Sequence, residues 1–291
     1  VIHVVFTVDE AFAAPLSVAL HSLVASNPGI RVSVLHDGLS DRLRARVVGD
    51  LKGAADIEWF AMTKDLTGVP NTVYLPPAAL FRILMAEVLV DGDRVIYIDC
   101  DTVVLEPIRD LTSHLGHGLV AAVRDAGAPV AAGPAGTDWR TLDLDPATPY
   151  FNSGVMVVDL DRWRGYDVGR RALDVLSRAR PRWGDQCALN AVAGGAWDEV
   201  PRRWNLQTAD LEGRSLSWAM WRADVEAAVA RPAIIHFTER DKPWLAGSGH
   251  AHRDLWREWL ARTPFRGWQP PRRRVRHLLA GVHRAVHVAR G

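Results

Sequence analysis

The sequence predicts an α/β protein with a mostly parallel sheet flanked by helices, and three observations predict it. Short apolar, β-branched runs alternate with segments whose apolar residues recur at helical spacing, the pattern of β-α units. The 291 residues are 48% hydrophobic, enough for one large α/β domain or two small ones. Finally, the run Val95-Ile96-Tyr97-Ile98 reads as a buried strand and ends on Asp99-Cys100-Asp101. The carboxyl ends of strands are where open α/β sheets bind ligands.

Taken in order, Val4-Val5-Phe6-Thr7-Val8 is a strand. Leu16, Leu20, Leu23 and Val24 then mark a helix that Asn27-Pro28-Gly29 stops. Val32-Ser33-Val34-Leu35 repeats the strand, and Ser40 caps a helix carrying Leu43, Val47, Val48 and Leu51, with Gly53 expected to close it. Ile57-Glu58-Trp59-Phe60 is a third strand. After Pro76-Pro77, a helix bearing Leu80, Ile83, Leu84, Glu87 and Val88 leads to the Asp99 strand. Residues 118–123 form another buried strand. The Gly-, Ala- and Pro-rich stretch 126–149 has little periodicity and the length of a functional loop over a site. Tyr150-Phe151-Asn152-Ser153-Gly154 leads into the apolar run Val155-Met156-Val157-Val158. Helices are expected over 170–179 and 186–192, a last strand over 234–237, and a late helix on Leu255, Trp256, Trp259 and Leu260.

This organisation predicts a catalytic domain over 1–262. Residues 263–291 are then a linker (264–271) and a basic tail. In the tail, Val275, Leu278, Leu279, Val282 and Val286 fall on one helical stripe among arginines and histidines, the pattern of a cationic helix in a membrane interface.

Thirty-five basic residues balance 34 acidic ones, so no global field favours nucleic acid. Only Lys52, Lys64 and Lys242 are lysines, an arginine bias that carries no functional conclusion. Cys100 and Cys187 are the only cysteines and form no Cys-x-x-Cys pair, which argues against a disulfide framework and for a reducing, cytoplasmic setting. The opening residues, up to Val8, read as the first strand rather than a signal peptide, and no stretch is long and apolar enough to span a membrane. Membrane contact, if made, is peripheral, through the tail at the inner face of the cell membrane.

If the extended backbone continues past Ile98, Asp99 and Asp101 point to one side and Cys100 to the other. Two carboxylates held that close call for a cation or a shared proton. A divalent metal takes such oxygen ligands while keeping room for water and phosphate.

Five blocks then appear in order: Phe6-Thr7-Val8-Asp9 with Arg82 beyond it, Ile96 to Asp101, Tyr150-Phe151-Asn152-Ser153-Gly154-Val155, Gly184-Asp185-Gln186-Cys187-Ala188-Leu189-Asn190, and His236-Phe237-Thr238-Glu239-Arg240-Asp241-Lys242-Pro243-Trp244. Together they cover roughly residues 1–250 and resemble glycosyltransferase family 8, retaining enzymes of the GT-A fold that include bacterial lipopolysaccharide galactosyltransferases. The resemblance implies Asp99, Asp101 and His236 as metal ligands. It points to Mn²⁺, with Mg²⁺ as the alternative, and an imidazole ligand independently favours a transition metal. It assigns Asp9, Arg82, Asp99, Cys100 and Lys242 to a UDP-sugar donor, UDP-galactose or UDP-glucose, with Lys242 on the leaving diphosphate. Asp125, Asn152, Asp185 and Gln186 fall on the transferred sugar. The implied acceptor is a hydroxyl of a glycan, lipid-linked or small-molecule sugar. An amide at Gln186 is a poor nucleophile, so retention is expected through front-face attack, with Gln186 and Asp185 as electrostatic and positioning groups.

Three positions depart from the family pattern. Glu239 stands where glycine is common, beside the expected diphosphate, Ala11 replaces a polar residue near the base, and Cys187-Ala188 lacks a second acidic residue. Two rival readings follow: a nucleotide-sugar-binding module without turnover, which Glu239 would favour, and a haloacid-dehalogenase-type phosphatase, whose nucleophile motif Asp99-Cys100-Asp101-Thr102-Val103 also fits. The phosphatase chemistry needs a later lysine, and none lies between Asp101 and Gly184.

Overall fold

A computed structural model describes residues 1–270 apart from 52, 64–65, 67–68, 70–76, 91–93 and 134–138. Strand β1 (His3–Val8) is followed by helix α1 (Ala13–Ser26), β2 (Arg31–His36), α2 (Asp41–Val48) and β3 (Asp56–Ala61). Helix α3 (Phe81–Val88) then precedes β4 (Arg94–Ile98), β5 (Thr102–Val104), β6 (Val120–Arg124) and β7 (Phe151–Asp159). Helices α4 (Leu160–Gly165), α5 (Val168–Ala179) and α6 (Gly184–Ala193) follow, then β8 (Asp198–Glu199), β9 (Leu206–Gln207), α7 (Thr208–Leu211), α8 (Leu216–Met220), α9 (Arg222–Ala230), β10 (Ile234–His236) and α10 (Arg253–Ala261).

The main sheet has the order β3-β2-β1-β4-β7-β6-β8, and β5-β10-β9 form a second, small sheet. Strands β3, β2, β1 and β4 are parallel, while β7 runs antiparallel to both β4 and β6. The β-branched runs predict this burial on both faces. Val4, Phe6 and Val8 face one core with α1, Ile96 and Ile98, while Val5, Val95 and Tyr97 face the other with α3, α5 and α6. Alternation along each strand sorts the residues between the two layers.

From β1 the chain builds outward through β2 to β3, then returns to place β4 on the opposite side of β1. That reversal opens a crevice between the carboxyl ends of β1 and β4, the ligand position of open α/β sheets. Asp9 stands just past the first of these ends and Asp99 just past the second.

Ser40 caps α2 as expected, its Oγ accepting from Leu43 N at 3.3 Å, a bond type worth about 1 kcal/mol. The helix closes at Gly49 in a positive-φ conformation, four residues before the expected Gly53. Residues 264–268 are also not a free linker. Phe265 is buried under the core, Arg46 lies 4.2 Å over its ring, and Trp268 packs on Trp256. The tail expected at 272–287 lies outside the described residues. Among the described residues no helix is long and apolar enough to cross a membrane.

Candidate active site

Backbone pairing brings His236 to Asp99 and Asp101, more than 130 residues earlier in the chain. β4 ends at Ile98 and the chain bends through Asp99-Cys100-Asp101 before β5, so the extended geometry expected from the sequence does not continue. The two aspartates nevertheless converge. Antiparallel pairing of β5 with β10 sets His236 opposite Thr102, and Phe237 N donates to the Asp101 carbonyl at 2.9 Å. His236 Nε2 therefore lies 3.2 Å from Asp101 Oδ1 and 3.6 Å from Asp99 Oδ2. One ligand atom from each residue falls within 4.8 Å of the others. Cys100 turns away, its thiol donating to the Thr7 carbonyl at 3.1 Å, so its side chain is core rather than site.

Both aspartates are charge-compensated. Lys242 Nζ contacts Asp101 Oδ2 at 2.7 Å and also donates to the Phe237 carbonyl. Burial opposes ionisation of Asp101, but the Lys242 ammonium and His236 outweigh it and hold the carboxyl well below the usual range. Tyr97, two residues before Asp99 on the same face, donates its hydroxyl to Asp99 Oδ1 at 2.7 Å. Burial keeps that phenol protonated by pushing its pKa far up, although Arg82 pulls the other way.

Arg82 lies on α3 with its side chain turned into the protein rather than to solvent. It is 6% exposed, over the Tyr97 ring, with Nη2 2.9 Å from Asp99 Oδ1 and Nε 2.8 Å from Asp185 Oδ2. It thus joins the cluster at the end of β4 to the first turn of α6. Asp185 is itself buried, and its Oδ2 accepts no hydrogen bond because the Arg82 Nε–H is directed to the Ala79 carbonyl. Burial pushes the Asp185 carboxyl up to about 6, Arg82 pulling it down and Asp99 adding to the rise.

The second half of the site is a cluster of amides around Asp125. Between Ala122 and Val123 the β6-β7 register jumps, and residues 153–155 leave the ladder on that side, a bulge that re-aims the start of β7. Asn152 Nδ2 donates to Asp125 Oδ2 at 3.2 Å and to Gln186 Oε1 at 3.1 Å. Gln186 Nε2 donates to the same Asp125 Oδ2 at 3.1 Å, and Gln186 Oε1 accepts from Ser153 N at 3.2 Å. The Asn190 side chain secures α6 here by bonding both the N–H and the carbonyl of Phe151 at 2.9 Å. Gln207 holds the Asp125 turn, accepting from Ala126 N and donating to the Arg124 carbonyl, each at 2.9 Å.

Gly154 makes the two halves fit. A Cβ there would lie 2.0 Å from His236 Cε1 and 2.8 Å from Asp99 Oδ2, so only glycine lets β7 pass this close.

Asp9 caps the short 3-10 turn Glu10–Phe12, its Oδ1 accepting from Phe12 N at 3.0 Å, and burial raises its pKa. Glu239, the carboxylate that threatened the diphosphate position, is bonded at 2.8 Å by Arg214, which also holds Glu212. Reading the sequence missed Asn205, Gln207, Asn190, Tyr97 and Arg214 as site-builders. Tyr97 was findable from its two-residue offset to Asp99, and Asn190 from its helical spacing to Gln186. Asn205, Gln207 and Arg214 carry no local signal for these roles, because the partners that tie them to the site, Glu239 in the case of Arg214, lie 25 to 83 residues away.

A switch-point crevice with an acid, acid and histidine cluster on one side and a carboxamide cluster on the other is the arrangement expected of a GT-A-type glycosyltransferase, and the chain is one by its family. The comparisons with known proteins agree: the family profile of glycosyl transferase family 8 matches residues 3–247, and the chain belongs to that family. General stress protein A of Bacillus subtilis is 27% identical over 278 residues, covering 91% of this chain and 95% of that protein. The lipopolysaccharide 1,2-glucosyltransferase of Escherichia coli K12 is 25% identical over 302 residues, covering 97% and 86%. Among solved structures, the galactosyltransferase LgtC in complex with donor and acceptor sugar analogues superposes with a TM-score of 0.78 at 24% identity, covering 90% of this chain and 96% of that one. Streptococcus pneumoniae GlyE gives 0.68 at 21% identity, over 89% and 61%. These likenesses support the fold, and the family match sets aside the phosphatase reading.

Proposed function

We propose that the protein is a metal-dependent, retaining hexosyltransferase that moves a sugar from a UDP-hexose, UDP-galactose or UDP-glucose, to a hydroxyl of a sugar-containing acceptor. The observation that carries this reading is the convergence of Asp99, Asp101 and His236 at the carboxyl end of β4. Two carboxylates and one imidazole nitrogen fit a divalent transition metal, Mn²⁺ in preference to Mg²⁺. Bound there, the ion would neutralise the departing diphosphate as a Lewis acid.

The protein's own groups account for the remainder. Lys242, 2.7 Å from Asp101, is placed to turn its ammonium onto a diphosphate oxygen. Asp185, ion-paired to Arg82 at 2.8 Å, would stand on the sugar side of the site as an electrostatic and positioning group. Asp125, Asn152 and Gln186 brace one another, and further bonds to Gly127 N, Ala128 N, Gly154 N and Asn205 occupy the other oxygens of Asp125 and Asn152, so the three would form a rigid wall that orients the sugar. Gln186 is an amide held by three partners, which supports front-face transfer over a covalent intermediate. The rival reading as a module without turnover rested on Glu239, and Arg214 neutralises that carboxylate.

The test is release of UDP from UDP-galactose and UDP-glucose with added Mn²⁺. Release is expected to stop in chelator, to return with Mn²⁺, and to fall by orders of magnitude in Asp99→Ala, Asp101→Ala and His236→Ala. Undiminished release in chelator would remove the metal from the reading.

A further inference from the structure

We propose that Asn205 is a positioning residue that fixes the tautomer of His236 and locks the metal-ligand half of the site to the sugar-facing amides. The inference rests on the metal reading of Asp99, Asp101 and His236. Asn205 is fully buried at the end of the 3-10 turn Arg202–Asn205, and both polar atoms of its side chain are used. Asn205 Oδ1 lies 2.9 Å from His236 Nδ1, and Asn205 Nδ2 lies 3.0 Å from Asn152 Oδ1.

The direction of these bonds follows from two backbone N–H groups, which can only donate. Gly154 N is 3.0 Å from Asn152 Oδ1, so that atom is the acceptor, the carbonyl oxygen of the Asn152 amide. The Asn205 atom facing the same oxygen must then be its NH₂. Its carbonyl oxygen consequently faces His236, and Nδ1 of the imidazole must carry a hydrogen. In the neutral ring this leaves the lone pair on Nε2, the atom turned toward Asp99 and Asp101 and the one a metal needs. On the other flank Ser153 N fixes Gln186 Oε1 as an acceptor in the same way, so Asn152 Nδ2 donates to it and Gln186 Nε2 donates to Asp125. The polarity of one chain, His236 to Asn205 to Asn152 to Gln186 and Asp125, is thereby determined throughout. The imidazole cannot change tautomer without unpairing a buried amide.

Two variants separate positioning from packing. Asn205→Ala removes both bonds. Asn205→Asp keeps an acceptor for His236 Nδ1–H but sets a carboxylate oxygen against Asn152 Oδ1. Mn²⁺ titrations by calorimetry, on proteins whose fold is verified by circular dichroism and thermal unfolding, are expected to show Asn205→Ala binding about 10–100-fold more weakly than the unsubstituted protein. Asn205→Asp is expected to bind Mn²⁺ with affinity comparable to the unsubstituted protein while kcat for UDP release at saturating Mn²⁺ falls. A folded Asn205→Ala protein with unchanged Mn²⁺ affinity overturns the proposal, as does an Asp variant as weak in metal binding as the Ala variant. Failure of the unsubstituted protein to bind Mn²⁺ is a different result, which overturns the metal reading beneath it.

Discussion

A buried carboxylate oxygen without a hydrogen bond is costly, and Asp185 keeps one beside the guanidinium that should satisfy it. Its folded pKa of about 6 exceeds the ordinary carboxylate value, so the folded state takes up its proton at higher pH than the unfolded chain does. The sign follows: folding stability declines as pH rises from about 4 to about 6, and the penalty is fully present at pH 7. Asp185→Asn should remove that part of the pH dependence. It should also make the donor-free protein more resistant to urea at pH 7 than at pH 4 relative to the unsubstituted chain, while UDP release collapses. A variant equally or less stable at pH 7, with no change in the slope, would show that Arg82 already offsets the burial.

At the scale of an element, β7 is the member most specialised for function. Its last residues form an ordinary antiparallel strand, but its first four supply Asn152, the Ser153 N–H and the bare Cα of Gly154. Gly154→Ala should push the His236 ring off its place. Mn²⁺ affinity and UDP release should drop together, whereas an alanine in place of Gly165, where an added Cβ meets nothing, should leave both alone. Calorimetry and the UDP assay on the two variants decide this. The loop after β10 is a second such element. Arg214, which precedes α8, clasps Glu239 and so neutralises the carboxylate that departs from the family pattern. Arg214→Ala should raise the donor KM several-fold, and the double variant with Glu239→Gly should restore it. A double variant no better than the single one would mean that Arg214 itself meets the donor.

At the scale of the molecule, the site draws on β1, β4, β7, α6 and β10, elements spread from Asp9 to Lys242 and separated by most of the fold. No fragment contains it, so ligand binding is linked to folding of the whole domain. Mn²⁺ and UDP, each at about a hundred times its dissociation constant, should together stabilise the domain by about 5.4 kcal/mol, about 2.7 from each, as a shift of a single unfolding transition. Differential scanning calorimetry with and without the pair measures this, and the shift should vanish in Asp101→Ala. A shift confined to part of the transition would mean that the site forms in a sub-domain.

What the sequence determined by itself was whatever depends on neighbours along the chain. Continuous apolar, β-branched runs such as Val4 to Val8 and Val95 to Ile98 specify buried strands, Ser40 specifies a helix start, and strand and helix alternation specifies an open sheet with its site at strand ends. Asp99 and Asp101 were legible as a pair that needs a positive partner, because they are two like charges so close along the backbone, and Arg82 and Lys242 stand beside them. Only the tertiary structure decided what depends on pairs far apart. It turned Arg82 inward onto Asp99 and Asp185, neutralised Glu239 with Arg214, bent the chain at Cys100 without separating the aspartates, and placed Asn205 between His236 and Asn152. The physical reason is that a hydrogen bond or ion pair is set by distance and direction in space, and strand order and register create those distances. A single residue type such as Asn or Arg carries no mark of which partner it will meet.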